Sequence, residues 1–305
     1  MVSLPGLAAA AVAVSGNLVL SLGMSLQKRH IGWIGRKPSR TPWRPAHLPP
    51  EGERRRAGRF YRDFAVWFLG FMLVNVVPAF QFFALMGLST NVVAAIAGTS
   101  VAFTAILSKF LLRERLGKRR LAWTIVLFAA IAAAGFLGEN GSSELDELSP
   151  GALFACLGIP LAAGIMLLAL RGRLKGPRLA AFLAAVSGSL GGFMVFPLRA
   201  LQVAAGPGFS GWLSSPYLYA FLASGISGFV LTQTAYKDGE MASVAPAYFG
   251  LQVLWPALAS YFVFGAKFIP AQTLAFALVA LSVAFIAGFH PAAKVGAKVA
   301  GDKRG

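Results

Sequence analysis

Three kinds of residue are scarce in this chain, and each scarcity removes a class of function. Cysteine occurs once, at Cys156 inside an apolar block, so no internal disulfide and no cysteine-rich metal site can form. Cys156 reads as an inert packing residue. Histidine occurs three times, at His30, His47 and His290, which read as loop positions far apart in sequence, and acids number only 11 in 305 residues. No Ser-His-acid set, paired carboxylates or Gly-rich phosphate cradle falls at membrane depth, so neither catalysis nor a cofactor is expected. Charged residues make up 13% of the chain against 57% apolar, a balance outside the range of soluble domains.

What the chain has in abundance is hydrocarbon, gathered into blocks of roughly twenty residues, the length that crosses a bilayer. These blocks predict spans at 4–26, 64–86, 92–112, 121–138, 152–170, 179–200, 217–236, 242–264 and 271–290. Only helices satisfy the backbone there, and the uninterrupted Ala, Leu, Val and Phe runs leave no polar lumen face for a barrel. The expected fold class is therefore all-α, a polytopic transmembrane helix bundle of about nine spans forming one transmembrane domain over 1–305. The opening segment lacks a basic n-region and its apolar run is longer than a signal-peptide core, so it should remain as the first helix.

Charge is lopsided, with 28 Lys plus Arg against 11 Asp plus Glu. The surplus sits in short connections and no aromatic-interleaved basic domain exists, which excludes nucleic acid as a partner. The connection 27–62 holds eleven basic residues, 113–120 five, 171–178 four and the C-terminal tail four, whereas 139–150 carries only acids and 87–91 and 201–216 carry no charge. Basic connections stay in the cytoplasm, so nine crossings put the N-terminus outside and the C-terminus inside, in a bacterial inner (plasma) membrane. The stretch 27–62 reads as a disordered basic loop kept for topology, or as one resting on the inner leaflet with Trp33 and Trp43 at headgroup level. Lys237, Asp238 and Glu240 read as a solvated turn around Gly239, or as an ion-pair set gating entry at the inner face.

Sliding the chain by 152 positions reveals an internal repeat. In the window 81–110, nine of thirty aligned pairs are identical, among them Gln81/Gln233, Gly98/Gly250 and Ser108/Ser260. Helices two and three cross the membrane in the opposite sense to seven and eight, which makes the repeat inverted. The halves are then 4–138 and 179–290, with the helix 152–170 unpaired. Opposed halves supply two near-equivalent states, facing in and facing out.

The residues Phe103-Thr104-Ala105-Ile106-Leu107 leading to Leu112-Arg113-Glu114-Arg115-Leu116 resemble the drug/metabolite transporter superfamily, EamA-like. Within it, nine spans, Ser15-Gly16-Asn17 to Lys28-Arg29, and Ala84-Leu85-Met86-Gly87-Leu88-Ser89-Thr90 are most similar to the NIPA-like magnesium transporter branch. The resemblance implies a secondary transporter working by alternating access, with magnesium or another divalent cation as cargo. That branch tends to place an acid in the second helix, where this chain has Val74-Asn75 and Pro78, and no Asp or Glu falls inside any predicted span. A divalent site would have to use carbonyls, hydroxyls and amides. An organic metabolite or drug exporter of the same superfamily is the alternative, and a non-transporting scaffold or accessory subunit is the reading from another class.

Candidate substrate-binding residues follow from polarity within spans. Asn17 and Ser21, with Ser25, share one side of helix one; Ser100 and Thr104, with Ser108, share one side of helix three. They either line a path or bond back to their own carbonyls. Asn75 and Gln81 align with Ser227 and Gln233, and Ser100 with Gln252, so polar positions recur in both halves; Tyr248 joins them. The amides either face a cavity or hold helices together. Pro78, Pro246 and Pro256 should interrupt helices two and eight. Gly188, Gly191 and Gly192 read as a close-packing surface. A metal ligand set is not identifiable, and the expected partners are a small-molecule or ion substrate and the lipid bilayer, with a homodimer left open.

Overall fold

The ends of the helices are where this sequence departs from plain hydrocarbon. Ser149 and Ser215 each turn a side-chain oxygen toward the first free backbone N–H groups of a helix, and a proline follows each at the first helical position. Gly176 takes φ 89 immediately before Pro177, a left-handed conformation that suits glycine. Between such punctuation the apolar runs wind into helices, and no strand occurs among the described residues. The computed structural model describes residues 6–33, 51–85, 96–114, 117–137, 149–173, 176–194, 196–197, 200–201, 209–264 and 268–288.

Within those residues the α-helices are α1 (Gly6–His30), α2 (Glu51–Leu85), α3 (Thr99–Phe110), α4 (Lys118–Leu137), α5 (Pro150–Ala169), α6 (Pro177–Phe193), α7 (Phe209–Ser214), α8 (Pro216–Asp238), α9 (Met241–Phe264) and α10 (Pro270–Gly288). α1 packs on α2 and α3, and α6 packs in the same way on α8 and α9. α3 touches α4 as α9 touches α10. Across the middle α3 meets α9 and α4 meets α10, while α5 packs on α6, α8 and α9. The heart of the bundle is α6, where Ala180, Ala181, Ala184 and Gly188 let three neighbours approach closely. Outward faces carry Phe64, Phe68, Met72, Ile125, Ile159 and Ile226 in the open. Such a coat suits lipid rather than water.

All nine predicted spans overlap helices, and among the described residues six helices are long and apolar enough to cross a membrane by length and composition. The other three, α3, α6 and α10, have 12, 17 and 19 residues within the described stretches. The predicted connection 27–62 is also corrected at its ends. Helix α1 runs on to His30, which pairs with Asp63 at 3.1 Å, and α2 starts at Glu51, because Glu, Arg and Ala favour helix once they are outside the lipid. His30 is thus helical and not in a loop. Pro78, Pro246 and Pro256 do not interrupt their helices; α2 and α9 continue through them, as packed membrane helices permit. Trp43, His47 and His290, the acidic connection 139–148, Gly87, Val92 and the C-terminal tail lie outside the described residues.

Candidate functional site

A cavity of about 500 Å³ lies between α1, α2, α6, α8 and α9. None of its lining side chains carries a formal charge. At one end Trp67 Nε1 donates to Gln233 Oε1 at 3.0 Å, and the Gln233 amide donates to Gln27 Oε1. This relay ties α1, α2 and α8 together through groups that lipid could not satisfy. An aromatic wall stands beside it, with Phe71 and Phe229 edge to face at 5.4 Å and Trp67 stacked on Phe71.

The opposite wall is set by glycine. A Cβ on Gly188 would stand 2.0 Å from the Tyr248 carbonyl oxygen and one on Gly192 2.1 Å from that of Gln252, so only glycine lets α9 lie this close to α6. The close approach brings Tyr248 and Gln252 to the cavity. Ser187 Oγ shares a hydrogen bond with Thr232 and donates to the Gly228 carbonyl at 2.6 Å. Two lining hydroxyls, Ser224 Oγ and Tyr236 OH, have no partner among the described residues although both side chains are 0% exposed. A buried polar group left in that condition costs about 1–3 kcal/mol.

Just beyond Tyr236 the α8–α9 turn is gripped by four other elements. Lys28 Nζ, from the end of α1, donates to the carbonyls of Tyr236 and Gly239. Glu114, in the turn after α3, accepts from the backbone N–H groups of Met241 and Ala242, both at 2.8 Å. Its carboxylate thereby caps the first turn of α9, where the helix dipole favours an anion. Arg120 of α4 pairs with Glu240 at 2.8 Å and Arg171, after α5, with Asp238 at 2.8 Å. Burial pushes the Glu114 carboxyl above its ordinary range, against the pull of the two N–H groups and of Lys28; Glu240 adds to the rise. The expectation of a solvated turn at 237–240 is therefore corrected. Lys237 is exposed, but Gly239 is buried and Asp238 and Glu240 are both paired.

Of the ten candidate residues, Asn75, Gln81, Gln233, Tyr248 and Gln252 line the cavity. The pair Gln81/Gln233 found by the repeat is there in both members. Asn75 also donates back to the Phe71 carbonyl of its own helix at 2.8 Å. Asn17 instead donates to Ile96 O and Thr99 Oγ1, and Ser21 to the Ser100 carbonyl, so these residues fasten α1 to α3. Thr104 is buried away from the cavity with its hydroxyl unpartnered, and Ser227 is half-buried outside the lining. Sequence reasoning missed Gln27, Tyr236 and Glu114. Gln27 sits one position past the predicted end of helix one, and Tyr236 was the last residue of a predicted span, where an aromatic reads as an interfacial anchor. Glu114 enters the sequence only as part of a family motif, with nothing local to show what its carboxylate meets.

Among the described residues no cluster of three or more His, Cys, Asp or Glu side chains could hold a metal ion. Trp255 donates to the Cys156 carbonyl at 3.2 Å, and the Cys156 side chain is buried in the core. Comparison with curated proteins and with solved structures gives no match. Residues 8–136, from α1 to the last turn of α4, match the EamA-like transporter family.

Proposed function

We propose that this chain is a secondary transporter that moves a small uncharged or zwitterionic organic solute through the central cavity by alternating access. The observation that carries the reading is the pair of buried, unpartnered hydroxyls on Ser224 and Tyr236 in a cavity that has amides and aromatic rings but no charge. A solute able to donate and accept hydrogen bonds satisfies them, and Phe71 and Phe229 give it a flat apolar face. The match of 8–136 to a transporter family, the 152-position repeat and the corresponding packing of α1–α2–α3 and α6–α8–α9 support two opposed halves that rock about the cavity. The basic connections favour an N-terminus outside and a C-terminus in the cytoplasm.

Magnesium, the cargo implied by the resemblance to the NIPA-like branch, fits this lining less well. Mg²⁺ demands hard oxygen ligands in octahedral geometry and usually carboxylates, whereas the polar lining here is amide and hydroxyl. A scaffold role would leave a cavity of about 500 Å³ lined by amides and hydroxyls without an occupant. The test is thermal stabilisation of the purified chain against amino acids, nucleobases, organic cations and Mg²⁺, followed by uptake of each hit into liposomes. A neutral organic hit that loses its effect in Tyr236→Phe supports the reading. Stabilisation and uptake confined to Mg²⁺ would replace it with the divalent one, and a folded protein that binds and moves nothing would favour the scaffold.

A further inference from the structure

A second cavity, of about 610 Å³, lies away from the first, in the angle between α3 and α4. Its walls are apolar and face outward: Phe110 is 73% exposed, Ile125 59% and Ile106 52%. Both helices spend their other faces on α1, α9 and α10. Two charged side chains reach it, Lys109 and Glu114. Glu114 is committed to the N-terminus of α9. Lys109 is exposed at the end of α3, its ammonium 5.7 Å from the Phe110 ring centre, with no ion-pair partner among the described residues. Arg113, Lys118 and Arg119 are exposed around the turn that follows and likewise carry no acidic partner there. An outward apolar trough thus ends in unneutralised positive charge at the level where α3 leaves the apolar layer.

We propose that this groove is a binding site for an anionic phospholipid, its acyl chain against Ile106, Phe110 and Ile125 and its phosphate on Lys109. Charge complementarity chooses the occupant. A neutral chain would fill the apolar part and leave the cation unanswered, and a free phosphate would answer the cation without using the groove. A second copy seated here by two-fold symmetry would bring its own Lys109 against the first, an arrangement of like charges in lipid. Nor does packing call for the lysine. The repeat puts Tyr261 where Lys109 stands and Phe262 where Phe110 stands, so the same outward position exists in the second half without a charge. A basic residue near an anionic headgroup is worth about fivefold in affinity.

The experiment is native mass spectrometry of the full chain in mild detergent, titrated with phosphatidylglycerol or with phosphatidylcholine of the same acyl chains, alongside melting temperatures. One phosphatidylglycerol should be retained over phosphatidylcholine. Lys109→Ala should cut its occupancy about fivefold, Lys109→Arg should restore it, and Arg173→Ala, an exposed cation elsewhere, should leave it alone. Ile125→Trp, which fills the groove from the apolar side, should weaken the lipid with the lysine intact and stands in if Lys109→Ala fails to fold. Equal retention of both lipids, indifference to Lys109 and Ile125, stabilisation by inorganic phosphate as strong as by the lipid, or a dimer cross-linked through cysteines at Phe110 would each overturn the proposal.

Discussion

Replacing Glu114 by alanine probes the grip on the α8–α9 turn at its most exacting contact. The substitution removes two charge-assisted bonds to Met241 and Ala242, each of a kind worth about 1.5–3 kcal/mol. Relief of carboxylate burial returns part of that, and water can reach the freed N–H groups once the turn loosens. A net loss of about 2–3 kcal/mol follows, about 30- to 150-fold in the equilibrium between gripped and released turn. The assay is thiol labelling on a Cys156→Ala background with Thr232→Cys in the cavity just inside the turn, using an impermeant maleimide on inside-out vesicles. Labelling should accelerate at least tens of times in Glu114→Ala and much less in Glu114→Gln, whose amide oxygen still accepts. Equal labelling rates in both backgrounds, with melting temperature unchanged, would refute the view that Glu114 holds the α8–α9 turn in place.

Three other outcomes are expected. Tyr236→Phe removes a buried hydroxyl that has no partner, so melting temperature should hold or rise by the equivalent of about 1 kcal/mol while stabilisation by solute disappears. Gly188→Ala sets a methyl 2.0 Å from a backbone carbonyl and should cost about 2 kcal/mol or more in a detergent melt, whereas Gly191→Ala meets only the tip of the Tyr248 side chain at 2.9 Å and should cost much less. The raised pKa of Glu114 gives a pH dependence. In the gripped state the carboxyl holds its proton more firmly than in a released state where it meets water, so acidification through that raised value favours the gripped turn and the advantage fades as pH climbs above it. Thr232→Cys labelling, normalised to an exposed Lys237→Cys, should slow on acidification in the parent and not in Glu114→Gln.

The helices were legible because a run of Ala, Leu and Phe in lipid has one way to satisfy its backbone. Their lengths were less so. Apolar composition marks where a chain could be buried, while the extension of α1 to His30 and of α2 back to Glu51 is carried by charged and polar residues outside the apolar blocks. Within the site, Gln81 and Gln233 were readable because a repeat puts like residues at like depth, and Gly188 and Gly192 because small residues one turn apart predict close approach. Asn17 and Ser21 show where that logic stops. Periodicity gives the side of a helix but not what stands opposite, and opposite them stand the carbonyls of α3 rather than the cavity. The contacts of Lys28, Glu114 and Arg120 join residues 120 or more positions apart and leave no local trace.

The first turn of α9 is completed by an acid made 127 residues earlier. During synthesis that acid therefore waits for its helix, and a C-terminal half produced alone would begin α9 with bare amides. The loan has no counterpart in the sequence: position 266, which the 152-position shift sets against Glu114, is alanine and has no carboxylate. Separately expressed N-terminal and C-terminal segments should recognise one another through this borrowed terminus.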